Sequence, residues 1–136
     1  MSLYIVKVPL ADRSYDVVVG NGAVASLAQF LPQKAKRAVI ITQQGIDNQV
    51  SNAVSAAGLH CETAYIGRGE EFKSLQTIQQ LCESFGQWGI TRNDLIIGVG
   101  GGMVTDVAGF AAASWHRGTD VIHVSTSLVG MVDAAI

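Results

Sequence analysis

Apolar and polar positions alternate from Tyr4 to Val8 and again, with extra valine, from Tyr15 to Val19. Both stretches predict strands, and Ala11-Asp12-Arg13-Ser14 supplies the turn between them. Gly20-Asn21-Gly22 ends this pair. The period then changes. Val24, Leu27, Ala28 and Leu31 share one helical face, and Pro32 stops the helix predicted over residues 23–31. Residues 38–42 form a short apolar run rich in β-branched side chains, the pattern of a strand buried on both faces of a parallel sheet. Residues 45–57 suit a helix closed by Gly58, and residues 61–66 a strand. Residues 74–88 predict a strong helix with Leu75, Ile78, Leu81, Cys82 and Phe85 on one face, Ser74 as its cap and Gly89 as its stop. A buried strand follows at 95–99 and an almost wholly apolar helix at 103–114. Within that helix Val107, Phe110 and the alanines at 111–113 are expected in the interior. A short strand at 121–124 and the start of another helical pattern at 127–136 complete the chain.

Two strands in a hairpin followed by repeated β-α units predict one α/β domain over residues 1–136. It is Rossmann-like: a doubly wound, mostly parallel sheet with helices on both faces and an N-terminal antiparallel hairpin added to the sheet. The sequence stops at Val132-Asp133-Ala134-Ala135-Ile136, inside an apolar pattern with no C-cap signal. This leads to the expectation that it is a piece of a longer protein.

Composition narrows the classes. The 136 residues are 49% hydrophobic and 15% charged, which excludes a disordered polyelectrolyte. A net charge of −2 with no basic stripe argues against a nucleic-acid partner. Cys61 and Cys82 lack metal-ligand spacing and are expected to be small buried residues in a reducing, cytoplasmic compartment. Lys7, Asp12 and Arg13 interrupt any apolar core of a signal peptide. Between Leu95 and His116 the only charged side chain is Asp106, but Gly98, Gly100, Gly101 and Gly102 favour a strand and helix over a membrane span.

The chemistry concentrates at strand ends. Gly98-Val-Gly-Gly-Gly-Met-Val-Thr-Asp106 follows a buried strand and opens a helix. Glycines permit close backbone approach and a positive-φ turn, and a helix N-terminus offers N–H groups to an anion such as phosphate or pyrophosphate. Met103 stands where a G-x-G-x-x-G fingerprint would place its last glycine, so the run is not that motif. Asp106 is expected in the first helical turn, where a carboxylate is tolerated and can accept hydrogen bonds from a ligand. Gly69-Glu70-Glu71-Phe72-Lys73 lies between a strand and a helix on the same sheet edge. There Glu70 can take a ribose diol and Lys73 an anion. Arg117 can make a bidentate phosphate contact. His116 and His123 have no metal-binding spacing. Ser125-Thr126-Ser127 adds hydroxyls, and Asp133 lies one to two turns beyond.

Four of these motifs, in order, resemble the N-terminal half of the 3-dehydroquinate synthase family, with its G-E-x-x-K, G-G-G-x-x-x-D, R-G and T-T-L-x-x-M-V-D segments. The matching residues are Gly69-Glu70 with Lys73, Gly100-Gly101-Gly102 with Asp106, Arg117-Gly118, and Thr126-Ser127-Leu128 with Met131-Val132-Asp133. The resemblance implies an NAD-dependent enzyme of the shikimate pathway. It would convert 3-deoxy-D-arabino-heptulosonate 7-phosphate to 3-dehydroquinate and phosphate by transient oxidation, phosphate elimination, reduction and aldol closure. It further implies Glu70 and Lys73 on the ribose side of NAD, Gly101, Gly102 and Met103 as the pyrophosphate cradle, and Asp106, Thr126 and Ser127 as further cofactor contacts. Asp133 would bind a substrate hydroxyl, and Arg117 the substrate phosphate across the interface of a homodimer.

The same resemblance marks departures. Gln43 and Gln44 follow Thr42 where the family places Asp or Asn for the adenine ribose, and Gln43 can still bond that ribose. Ser127 replaces a Thr, Ser125 a Pro, and Arg68 precedes Gly69 in place of Asp or Pro. The family's divalent metal, zinc or cobalt, and its Glu-His-His ligands belong to a helical C-terminal domain absent from this sequence. No metal site and no complete catalytic set are therefore expected here, and the chain alone is expected to be inactive. Related sugar-phosphate cyclases of the inosose or valiolone type share these features. Metal-dependent glycerol and alcohol dehydrogenases are less similar, since they place Ser and Lys where Met103 and Gly109 stand.

Overall fold

A computed structural model describes residues 3–46, 49–128 and 130–136. Positions 47–48 of the helix expected over 45–57, and position 129 of the pattern at 127–136, lie outside the described residues. Six strands are described: β1 (Tyr4–Val8), β2 (Tyr15–Val19), β3 (Arg37–Thr42), β4 (His60–Tyr65), β5 (Leu95–Gly100) and β6 (Asp120–Ser125). Three α-helices accompany them: α1 (Gln49–Ala56), α2 (Leu75–Gln87) and α3 (Gly102–Ser114).

The last four strands form one parallel sheet in the order β4-β3-β5-β6. The inner strands explain their composition. β5 is buried throughout, and β3 is buried except for Arg37. Alternate residues feed two cores. Ala38, Ile40, Leu95 and Ile97 pack with Val50 and Val54 of α1 and with Leu27. Val39, Ile41 and Ile96 pack on the other face with Leu81 and Phe85 of α2 and Val104, Val107 and Ala108 of α3. Helices therefore cover both faces, as a doubly wound sheet requires. Ser74 caps α2, its Oγ accepting from Thr77 N at 3.2 Å.

Three expectations are corrected. The hairpin is not added to the parallel sheet: β1 and β2 pair only with each other, from Tyr4 opposite Val19 to Val8 opposite Tyr15. Alternation fixes which face of each strand is apolar, but not which edge the strand joins. The segment after β2, Ala23–Phe30, is a 3₁₀-helix and not an α-helix. Ser26 Oγ donates to Ala23 O at 2.7 Å, a local bond that competes with an α-helical ladder. On α3, Val107, Ala111 and Ala112 are buried but Phe110 is 54% exposed and Ala113 is exposed, because the helix meets the sheet along one side only. The helical pattern at 127–136 is found: Leu128 is α-helical, Met131 N donates to Ser127 O at 3.0 Å, and Gly130–Ala134 continues as a π-helical turn closed by Ala135 N donating to Gly130 O at 2.9 Å. Cys61 and Cys82 are free and half-buried at the margins of the two cores, and burial raises both thiol pKa values.

Candidate functional site

β3 and β5 are neighbours, but β3 connects outward to β4 while β5 connects the other way to β6. That reversal is the topological switch point, and open α/β sheets bind ligands beyond the strand ends there. Thr42 Oγ1 bridges the two strands by donating to Val99 O at 2.8 Å. Gln43 follows immediately. Its Nε2 donates to Gly67 O at 3.1 Å and lies 4.0 Å from Met103 Sδ, so the amide spans the cleft between the loops that follow β3, β4 and β5.

The glycine run crosses this point. Gly101 is the N-cap of α3, and no side chain caps the helix. The first-turn N–H groups of a 13-residue helix are thus left without a side-chain partner at the cleft. The glycines work mainly through close approach. A Cβ on Gly98 would lie 2.6 Å from Ala108 Cβ, and one on Gly100 would lie 2.7 Å from Val104 Cγ2. A Cβ on Gly101 would meet Ser127 Oγ at 3.3 Å. Gly98 and Gly100 seat α3 on the sheet, while Gly101 faces the loop after β6.

Charged groups gather beside this turn. Lys73 Nζ donates to Asp106 Oδ2 at 2.6 Å and lies 3.9 Å from Glu70 Oε2. Asp106 sits in the second turn of α3, not the first, because the helix begins at Gly102. Its position there lets it face Lys73 at the start of the α2 segment. The Asp106 carboxylate raises the Lys73 pKa above the usual lysine value, first through the hydrogen bond and then through its charge, with Glu70 and Asp133 adding to it. Asp133 on the π-turn is therefore part of the same electrostatic cluster. Arg68 turns away, its guanidinium donating to Gln44 O.

The loop after β6 forms the remaining wall. Thr126 N donates to Gly100 O at 2.8 Å, which ties this loop to the glycine turn. Ser127 Oγ accepts from Gly130 N at 3.1 Å, and Ser125 Oγ donates to Ser127 O at 3.1 Å. Gly130 was not singled out from the sequence, although an isolated glycine in an apolar stretch marks close backbone approach.

Arg117 is not brought to this cluster. It precedes β6, whereas the cluster lies beyond the opposite strand ends, and the 13 residues of α3 separate the two by about 20 Å. His116 and Arg117 both adopt left-handed backbone, at φ 48° and 62°, which is uncommon for non-glycine residues. His123 is half-buried under α3, and burial lowers its pKa, with Asp106 opposing the shift. Its Nδ1 has no hydrogen-bond partner. Among the described residues, no three His, Cys, Asp or Glu side chains converge as a metal site requires.

Fold and site together define a doubly wound α/β domain with an uncapped helix N-terminus at its switch point. Residues 63–136, more than half of the chain, match the family model described as 3-dehydroquinate synthase N-terminal. The chain belongs to this family. It is 42% identical over 129 residues to a 3-dehydroquinate synthase of Arthrobacter sp. (strain FB24), covering 93% of this chain and 36% of that relative. It is 40% identical over 132 residues to a protein of Amycolatopsis mediterranei (strain S699) provisionally named aminodehydroquinate synthase, covering 96% and 36%. A solved 2-deoxy-scyllo-inosose synthase, complexed with carbaglucose-6-phosphate, NAD+ and Co2+, superposes with a TM-score of 0.84 at 26% identity, over 96% of this chain and 37% of that one. The chain therefore spans about a third of the length of the curated relatives it matches.

Proposed function

We propose that this chain is the NAD-binding part of a 3-dehydroquinate synthase, acting on 3-deoxy-D-arabino-heptulosonate 7-phosphate. The observation that carries this reading is the uncapped N-terminus of α3, opening at the switch point beside Lys73, Asp106 and Ser127. The donor set suits a dinucleotide. Gly101, Gly102 and Met103 would hold the pyrophosphate through backbone N–H groups. Lys73 would add charge to that anion, and Glu70 would take a ribose diol. Gln43 would hold the adenine-side ribose, and Asp106, Thr126 and Ser127 the rest of the cofactor. When bound, NAD supplies reversible hydride transfer, and the chain's own residues position it and exclude water around it.

Asp133 and Arg117 have substrate roles in the same reading. Arg117 lies at the far end of α3, so it suits the site of a second copy in a homodimer. An exposed apolar face on the hairpin, with Tyr4, Val6, Tyr15 and Val19, is compatible with such pairing. The resemblance assigns the ligands of the family's divalent metal, a Glu and two His, to a helical C-terminal domain, so none of the residues named above is given a metal role. The inosose synthase superposition favours one alternative, a cyclase acting on another sugar phosphate.

Calorimetric titration of NAD into the chain tests the reading. Saturable binding is expected, weakened about tenfold by Glu70→Ala or Asp106→Ala, the loss of one charge-assisted hydrogen bond. No heat of binding to a folded chain would overturn it. The chain alone is expected to release no phosphate from 3-deoxy-D-arabino-heptulosonate 7-phosphate, because the Glu-His-His metal ligands that the family implies are not in this sequence.

A further inference from the structure

The strand next to the glycine run ends in neutral side chains. β3 lies beside β5, with Ile41 paired to Gly98, so β3 ends next to that run. In dinucleotide-binding sheets this strand end decides between two cofactors. A carboxylate there accepts from the ribose 2′-OH and repels a 2′-phosphate, whereas a nearby arginine accommodates that phosphate. Here Thr42 is followed by Gln43, Gln44, Gly45 and Ile46, the described part of the loop, and none of them is ionisable. The cation comes from the loop after β4. Arg68 reaches across, and its guanidinium donates to Gln44 O. Gln43 Nε2 donates the opposite way, to Gly67 O at 3.1 Å. A Cβ on Gly45 would stand 3.2 Å from Arg68 Nη2, and apart from its chain neighbours no other described atom lies within 4 Å of that point. Gln44, Gly45 and Arg68 are all exposed. The guanidinium therefore lines an open surface, where an added phosphate displaces nothing. It donates once, to the Gln44 carbonyl, which leaves further N–H groups of its planar fork for an anion. Among the described residues Arg68 pairs with no carboxylate. Glu70 and Asp106 are drawn to Lys73 instead, at 3.9 and 2.6 Å, and Glu71 folds back over Gly69.

We propose that the cleft takes NADP as well as NAD, with Arg68 holding the 2′-phosphate and the neutral Gln43 amide tolerating either ribose. This rests on the reading of the cleft as an NAD site and extends it to a second, phosphorylated cofactor. Glu70 near the ribose favours the unphosphorylated form, so acceptance of NADP is expected and not an outright preference for it. The competing explanation is that Arg68 only laces together the loops after β3 and β4. The two differ in what they discriminate. A lacing residue supports both cofactors equally, and a phosphate ligand supports NADP alone.

The test is calorimetric titration of NAD and of NADP into the wild-type chain, Arg68→Ala and Arg68→Asp, at low and moderate salt. The wild type is expected to bind NADP within about tenfold of its NAD affinity, and NADP binding should weaken more steeply with salt because of the extra anion. Arg68→Ala should weaken NADP about tenfold relative to NAD, the loss of one charge-assisted contact. Arg68→Asp should widen that gap further, since a carboxylate repels the phosphate. A wild-type chain that binds NAD and not NADP would overturn the proposal, and that comparison requires no variant to fold. An equal loss of both cofactors in Arg68→Ala would also overturn it and leave Arg68 as a lace between the loops. A wild-type chain that binds neither would remove the underlying cofactor reading, so the two failures are distinguishable.

Discussion

β5 is six residues long, and its two ends are treated oppositely. At its entry Asp94 is 2% exposed and saturated. Its Oδ1 accepts from Lys36 N at 3.1 Å and Arg37 N at 2.9 Å, and its Oδ2 from Thr91 N at 2.8 Å and Thr91 Oγ1 at 3.0 Å. At its exit the donors of α3 have no side-chain cap, and the nearest ion pair is partly exposed. A buried carboxylate with every partner present is a device for holding β3 and β5 together. In the function proposed above, the helix end with open donors holds a ligand instead. The same strand then carries a structural end and a proposed binding end, and satisfaction of polar groups tells them apart.

The largest effect should come from breaking the saturated end. Asp94→Ala leaves the Lys36 and Arg37 N–H groups without their acceptor, and is expected to cost about 3 kcal/mol in urea unfolding, with little change in NAD affinity per folded molecule. Burial pushes the Asp94 pKa up, but hydrogen bonds from Thr91, Arg37 and Lys36 outweigh it and hold the carboxyl below the ordinary aspartate value of 3.8. The sign follows. Its stabilisation is full above that ordinary value and is lost as pH falls through the lower folded value. Wild-type stability should therefore drop through the acid range, and the acid limb should be flatter in Asp94→Asn. Parallel acid limbs would show that this carboxylate does not fasten the sheet.

The glycines sharpen the contrast at smaller cost. Gly98→Ala forces a Cβ to within 2.6 Å of Ala108 Cβ between two packed elements. It is expected to destabilise the chain by about 2 kcal/mol, as overpacking does. Gly101→Ala places its Cβ 3.3 Å from Ser127 Oγ at the cleft, so it should weaken NAD binding while moving the melting temperature little. If the two variants behave alike in both measurements, the glycine run is a packing motif along its whole length.

The sequence carried much of this fold because its periods were unambiguous. Continuous apolar runs such as 95–99 have no exposed face to place and read as inner strands. The glycine run and the G-E-x-x-K segment were legible because they follow strands, and strand ends converge by topology. What stayed hidden depended on three-dimensional closure. Phe110 looked interior because its helix is apolar all round, yet α3 is covered on one side only. Gly130 and the Lys73–Asp106 contact join segments 28 and 33 residues away from their partners, Gly102 and Asp106, which no local pattern encodes. The hairpin itself was legible, but its separation from the parallel sheet was not, because strand periodicity specifies faces but not which edge a strand joins.

The smallest stability effect is expected where the ionic contact is shortest. Lys73 Nζ and Asp106 Oδ2 are 2.6 Å apart, but their side chains are 44% and 41% exposed. Water competes for both charges and salt screens them, so exposed pairs of this kind contribute little to folding. Asp106→Asn should therefore melt with the wild type. The sign of the lysine shift agrees with a minor role at neutral pH. A raised folded pKa adds stability that is complete below the ordinary lysine value of 10.5 and fades only as pH rises through the higher folded value. Titration of the Lys73 side chain by NMR should show its pKa falling toward that ordinary value in Asp106→Asn, while NAD binding weakens. A large loss of melting temperature would instead make the pair a fastener between the α2 segment and α3, and would place both ends of β5 in the structural class.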